Sequence, residues 1–302
     1  MSSQRNALRK HPLPRPVHWE NHAFNMVISD WVQEMSTTLL PDYDSPPAVE
    51  TLMGFYFASF VGWNVLHFGK LWTLFEANYP KGEILPPLLD PRMLSQGGFD
   101  FGSVPLRAMF TDASNSELVQ VQASAFLRNW RKTAENQAYT HYSDLKPKFE
   151  ADWKIFTEFL LANQLSTPQV FQCEVTYVNH LVRGEDWDSY NDLAKLLKPF
   201  APRTGVAEYG RAYGYLPEAS TVGLNVGYNL SEVGVTLQIT CHSAVRKPDG
   251  AEVIQLNVSA RADVLNGATG EIWKKLDQCH DAVILGFDDV TTEIAHQKWG
   301  KR

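Results

Sequence analysis

Cysteine is scarce in this chain: Cys173, Cys241 and Cys279 stand far apart in 302 residues, and no two form a CxxC pair. That excludes a disulfide framework or a cysteine-built zinc site and fits a reducing compartment. No apolar run approaches the ~20 residues that a membrane-spanning helix needs. The opening MSSQRNALRKHPLPRP is charged but leads into no uninterrupted apolar segment, so no secretory signal is expected. Net positive charge is also missing. A formal charge of −7 and a pI near 5.7 argue against a dedicated nucleic-acid binder. Reaction-defining motifs are lacking too: there is no GxSxG elbow, no GxxxxGKS/T phosphate loop, and no GxGxxG after a strand. The expectation is a soluble cytoplasmic protein with no membrane or nucleic-acid partner, a binder before an enzyme.

What is present is ample core-forming material, with 44% hydrophobic and 12% aromatic residues. Residues 1–16 read as a basic, proline-punctuated arm. In HAFNMVISDWVQEM, Phe24, Val27, Ile28, Trp31, Val32 and Met35 recur at helical spacing and form a docking stripe. Pro47 closes this extension, residues 1–47. Val49–Phe60 then reads as a strand, Val65–Tyr79 as a helix, residues 80–104 as a long loop whose QGGFDFG suits a mobile flap, and Leu106–Thr111 as a strand. Tyr142–Leu165 reads as a helix, with Phe149, Trp153, Phe156 and Leu160 at intervals of four, three and four. Val170–Leu181 returns to strand and Trp187–Phe200 to helix. Strands follow at Thr221–Leu230, Val235–Arg246 and Val253–Val264, and a helix at Glu271–Asp289. This order predicts an α+β fold: two similar strand-helix-strand-strand halves, residues 48–165 and 166–302, facing each other, with largely antiparallel sheets backed by long helices.

Two stretches carry the functional expectation. Leu118–Lys132 reads as one long strand, with Val119, Val121, Ala123, Ala125 and Leu127 on one face. Gln120, Gln122, Ser124, Phe126, Arg128 and Trp130 take the other. In Val170–Leu181, Phe171, Cys173, Val175 and Tyr177 oppose Gln172, Glu174, Thr176 and His180. If these strands pair, Gln120, Gln122, Phe126, Arg128, Trp130, Gln172, Glu174 and His180 gather on one recessed surface. Fixed polar groups on aromatic walls suit a small polar or aromatic ligand or a protein segment. The plainer reading is a bridge to a helix or dimer partner, with Arg128 and Glu174 as an ordinary ion pair. Asn129 and Arg131, on the opposite side, are expected to close the strand end on backbone carbonyls.

No catalytic residues, cofactor or metal follow from these patterns. The histidines lack HxH or HExxH spacing, and Cys241-His242 lies in a strand, where neighbours point apart. Cys279-His280 falls on a helix whose apolar stripe includes His280. The acid pairs Glu185-Asp186 and Asp288-Asp289 fit solvated charge or helix capping.

From residue 46 onward the chain resembles a sporadically distributed prokaryotic family of uncharacterised proteins. The matching pieces are PPAVETLMGFYF, VQVQASAFLRNWRK, CEVTYVNHL and FDDVTTEIAHQKWG. The resemblance implies that the N-terminal segment is an addition to a shared body; it carries over no activity and no site residue.

Three functions fit. The first is a non-enzymatic, dimeric binding protein whose concave mixed sheet holds a small ligand or protein segment. The second is a protein-interaction or regulatory partner, associated with immunity or defence, acting through the N-terminal extension. The third is an enzyme of unrecognised type using Glu174, His180 and Arg128.

Overall fold

The computed structural model describes residues 40–87, 106–134, 137–200, 221–247, 249–265 and 268–302. The expected arm, the docking helix and the QGGFDFG flap lie outside the described residues. The chain divides between Leu40 and Pro41, and everything described below belongs to the body that starts at Pro41.

That body is built on one antiparallel sheet. Its strands are β1 (Ala48–Phe57), β2 (Lys81–Leu85), β3 (Arg107–Thr111), β4 (Glu117–Gln122), β5 (Ala125–Arg131), β6 (Val170–Val182), β7 (Gly223–Leu230), β8 (Val235–Val245) and β9 (Glu252–Asp263). They lie in the order β2-β3-β4-β5-β1-β6-β9-β8-β7, and every ladder is antiparallel. The α+β class with antiparallel pairing is therefore as the element order implied, although no ladder is mixed. Each half opens with one strand, and the last strand of the following meander returns beside it: β5 beside β1, β9 beside β6. β1 and β6 then pair with each other. The halves are thus joined edge to edge within one sheet and do not face each other.

The helices are α1 (Val65–Phe75), α2 (Tyr142–Ala162), the single turn α3 (Leu193–Leu196), α4 (Thr269–Val290) and α5 (Glu293–Lys298). On α2 the expected stripe is real. Phe149 and Phe156 stack on Phe126 at 6.0 and 4.8 Å, and Trp153 meets Phe55 at 5.0 Å. On α4, Leu276, Val283 and Phe287 are buried, and Gly286 rests on β8, where a Cβ would come 2.7 Å from Leu237 Cδ2. Each large side chain so buried contributes about 1.5–3 kcal/mol.

Three departures from the sequence reading matter. β2 lies inside the stretch expected to be loop. Trp187–Phe200 forms only a 3-10 turn at Tyr190–Asp192 followed by α3, because the Trp187 indole N–H donates to the Leu181 carbonyl (2.9 Å) and ties this segment to β6. The third is the hairpin described below.

The start and end of the body are clasped together. Asp44 N–H donates to the Gly300 carbonyl (3.1 Å), Ser45 N–H to Trp299 (3.0 Å), and Arg302 N–H to Asp42 (2.9 Å). Tyr43 donates its hydroxyl to Asp288 (2.6 Å) and sets its ring edge-on to Phe287 at 5.4 Å. Gly300 makes the turn at φ +67°, which disfavours a side chain there.

Candidate functional site: the polar face of the sheet

The stretch 118–132 is two strands, β4 and β5, joined by a two-residue turn at Ala123-Ser124. Gln122 pairs with Ala125 and Val121 with Phe126, so the alternation changes phase across the turn. Facing residues share a side of the sheet. Val119 and Val121 therefore lie on the same side as Phe126, Arg128 and Trp130, whereas Gln120 and Gln122 lie on the side of Ala125, Leu127 and Asn129. Carried across the β1 and β6 registers, Phe126, Arg128 and Trp130 fall with Cys173, Val175 and Tyr177, under the helices. Gln172, Glu174, Thr176 and His180 fall on the opposite, polar side. The single recessed surface expected for Gln120, Gln122, Phe126, Arg128, Trp130, Gln172, Glu174 and His180 is split by the sheet itself.

Under the helices, Phe126 and Trp130 are core residues. Arg128, 1% exposed, is the charged exception. Its Nε donates to Asp152 on α2 (2.9 Å), and its Nη2 pairs with Glu117 on β4. Asp152 also accepts from the Tyr79 hydroxyl (2.7 Å), and Glu117 also pairs with Lys148. Burial opposes the Arg128 charge, but Tyr79, Glu117 and Asp152 outweigh it and hold the guanidinium above its ordinary value. Burial dominates at Asp152 and raises its carboxyl against the pull of Tyr79 and Arg128. This is a bracket between helix and sheet. Arg128 forms no pair with Glu174.

The polar side holds two hydrogen-bonded networks. In the first half, Arg107 donates to Gln120 (2.6 Å), Gln120 to Asn129 (2.7 Å), and Asn129 to Glu50 (2.5 Å), which also accepts from Arg131 (3.1 Å). Asn129 and Arg131 thus meet a carboxylate, not the backbone carbonyls expected. Gln122 donates to Ser124 (3.3 Å). Gln120, Gln122 and Asn129 are buried. Around β6, Glu174 accepts from Tyr56 (2.8 Å), Arg261 (3.0 Å) and Thr176 (2.9 Å). Gln172 donates to Asp263 (2.9 Å). With three donors on its two oxygens and 6% exposure, Glu174 holds β1, β6 and β9 in register.

Beyond Glu174 the same face opens. Thr176 lies 2.8 Å from Ser259; Gln255 donates to Asn257 (3.1 Å), and Asn257 to Thr240 (3.2 Å). These side chains are half-buried, and Gln238 and His242 on β8 are exposed. His180 faces Gln255, which faces His242. Its Nδ1 is buried without a hydrogen-bond partner, and burial pushes its pKa below the ordinary value, so the ring is neutral. The half-buried neutral ring lies beside amides and hydroxyls on the polar side of the sheet and does not reach Arg128. The trio Glu174, His180 and Arg128 cannot share a substrate.

Residues that the sequence reading left out complete this face: Arg261, Ser259, Asn257 and Gln255 from β9, and Tyr56 and Glu50 from β1. In EVIQLNVSARAD the polar set alternates with Ile254, Leu256, Val258 and Ala260, so the period-two signal was there. Among the described residues no three His, Cys, Asp or Glu side chains could hold a metal ion. Cys241 is buried on the helix side and His242 exposed on the other; His280 stacks on Tyr142 at 3.9 Å. The Thr291 hydroxyl lies 2.8 Å from His296 Nε2, but Thr291 is fully buried and cannot meet a substrate. Among the described residues no helix is long and apolar enough to cross a membrane. No protein-family model matches the chain, and no curated protein was found to match it.

Proposed function

We propose that this chain is a non-enzymatic binding protein that engages a polar protein segment, or a small polar ligand, through the open part of the sheet's polar face. The contact surface is made of Thr176, His180, Gln255, Asn257, Ser259 and Thr240. The observation that supports this reading is the contrast along one face. Up to Glu174 the polar groups are tied to one another, with Gln120, Gln122, Asn129 and Glu174 buried, whereas beyond it Thr176, His180, Gln255, Asn257, Ser259 and Thr240 are half-exposed. Amides and hydroxyls fixed on rigid strands give orientation-specific hydrogen bonding without a nucleophile or a proton-transfer pair.

A thermal-shift screen against metabolites, nucleotides and short polar peptides tests it. Ser259→Arg and Thr240→Arg should abolish any stabilisation that a hit gives the wild type while leaving its own unfolding cooperative. Hits that survive both substitutions, or no hit in any class, would refute the proposal.

A further inference from the structure

The two ends of the nine-stranded sheet are built differently. β2, at one end, has five residues, and two of them, Lys81 and Glu83, are exposed charges. β7, at the other, has eight residues, GLNVGYNL, with no charge, no proline and an unbroken register against β8. Open edges normally carry charge, proline or a bulge that stops another strand from pairing with them. One edge here has that protection and the other does not. Among the described residues nothing pairs with the outer side of β7.

We propose that β7 pairs antiparallel with β7 of a second copy of this chain about a two-fold axis at Val226, which makes one continuous sheet of the two bodies. Side-chain parity requires the axis to pass through a residue, and Val226 is the centre that sets both asparagines of the strand opposite glycines. Facing residues must lie on the same side, so their numbers must share parity, and a two-fold at Val226 sets Leu224 opposite Tyr228 of the other copy. On the helix side, Leu224, Val226 and Tyr228 then form an apolar cross-strand ladder in continuation of the faces already formed with Cys241, Ile239 and Leu237. Tyr228 is 47% exposed in the single chain, and this seam would cover it. On the polar side, Asn225 faces Gly227 and Gly223 faces Asn229, so each amide meets a residue without a side chain. What selects a second copy is the fit of β7 to itself: about Val226 apolar residues face apolar ones, each asparagine faces a glycine, and no charge is buried. The pairing is independent of the ligand proposed for the polar face.

Sedimentation velocity on the full chain across a concentration series tests this, and wild type should dimerise. Val226→Lys puts like charges across the axis and should raise the dimer dissociation constant by more than about tenfold. Gly227→Lys does the same from the polar side, where nothing lies within 4 Å of the added Cβ, so the single chain keeps its fold even if Val226→Lys does not. Val226→Cys should form an inter-chain disulfide on oxidation, because the three native cysteines are buried. A wild type that stays monomeric at every concentration would overturn the proposal, as would a dimer that both lysine variants leave intact. Failure of Val226→Cys to cross-link within a dimer would overturn the register.

Discussion

Replacing Arg128 with Met should be one of the most destabilising single changes in this protein, and the loss should depend on pH. Arg128 is 1% exposed and bridges two carboxylates from different elements, Asp152 on α2 and Glu117 on β4. Without it, Glu117 keeps Lys148, but Asp152 keeps only the Tyr79 hydroxyl. Breaking a buried pair by removing one partner costs about 3–5 kcal/mol, most of it from the stranded charge. The Asp152 carboxyl already sits above its ordinary value because burial outweighs its partners, and loss of Arg128 raises it further. The sign follows from linkage. A group whose folded pKa exceeds its unfolded value contributes stability that is full below the unfolded pKa and lost as pH rises through the folded one. Arg128→Met should therefore be weakest near neutrality and regain stability relative to wild type as pH falls. Adding Asp152→Asn, which removes the stranded charge, should restore part of the loss at pH 7. Urea unfolding followed by tryptophan fluorescence at several pH values reads all of this. A neutral-pH cost below about 1 kcal/mol, or strict additivity in the double variant, would refute the view of Arg128 as a charged bracket.

Other outcomes follow from the same packing. Gly54→Ala places a Cβ 2.1 Å from Leu127 Cδ2, inside the small cluster of Tyr56, Ala125 and Leu127, and should cost about 1–3 kcal/mol in urea unfolding; a neutral effect would mean that Leu127 has room to move. The His180 pKa is depressed by burial, so as pH falls below the ordinary 6.5 the unfolded chain takes the proton first and stability declines. His180→Gln should flatten the wild-type slope between pH 7 and the folded pKa, and an unchanged slope would assign it to other groups. The thiols of Cys241 and Cys279 are pushed up to about 12 by burial, and Cys173 is raised further for the same reason. A disulfide reagent should label none of the three in the native protein and all three in urea; fast native labelling would contradict the packing of α4 on the sheet.

The parts of the fold that sequence revealed are those with a long, clean period. The Phe149, Trp153, Phe156 and Leu160 stripe gave α2, and the alternation in Val235–Val245 and Glu252–Asp263 gave β8 and β9. Ala123-Ser124 gave no warning. Two-residue hairpin turns usually announce themselves with glycine or asparagine at positive φ. Here neither turn residue has positive φ, and what holds the turn is long-range: the Phe57 N–H donates to the Ser124 carbonyl (3.0 Å). Because side-chain direction repeats every two residues, one unseen turn moved Phe126, Arg128 and Trp130 to the opposite side of the sheet from Gln120 and Gln122. On β6, where no turn intervenes, Gln172, Glu174 and His180 were grouped correctly. Arg128 was expected on the polar face, beside Gln120 and Gln122. Its partners Asp152 and Tyr79 were out of reach, since nothing local links residues that are 24 and 49 positions away from it.

The clasp between Asp42–Ser45 and Trp299–Arg302 brings the two ends of the folded body to within one hydrogen bond of each other. A covalent join from Arg302 to Asp42 would therefore span almost no distance, and the polypeptide could be reopened elsewhere without rerouting a strand. The Ala123-Ser124 turn is a suitable place for new termini, because cutting there leaves β4 and β5 each paired on both flanks. A circularly permuted body of this kind should assemble the same sheet from a rearranged order of synthesis.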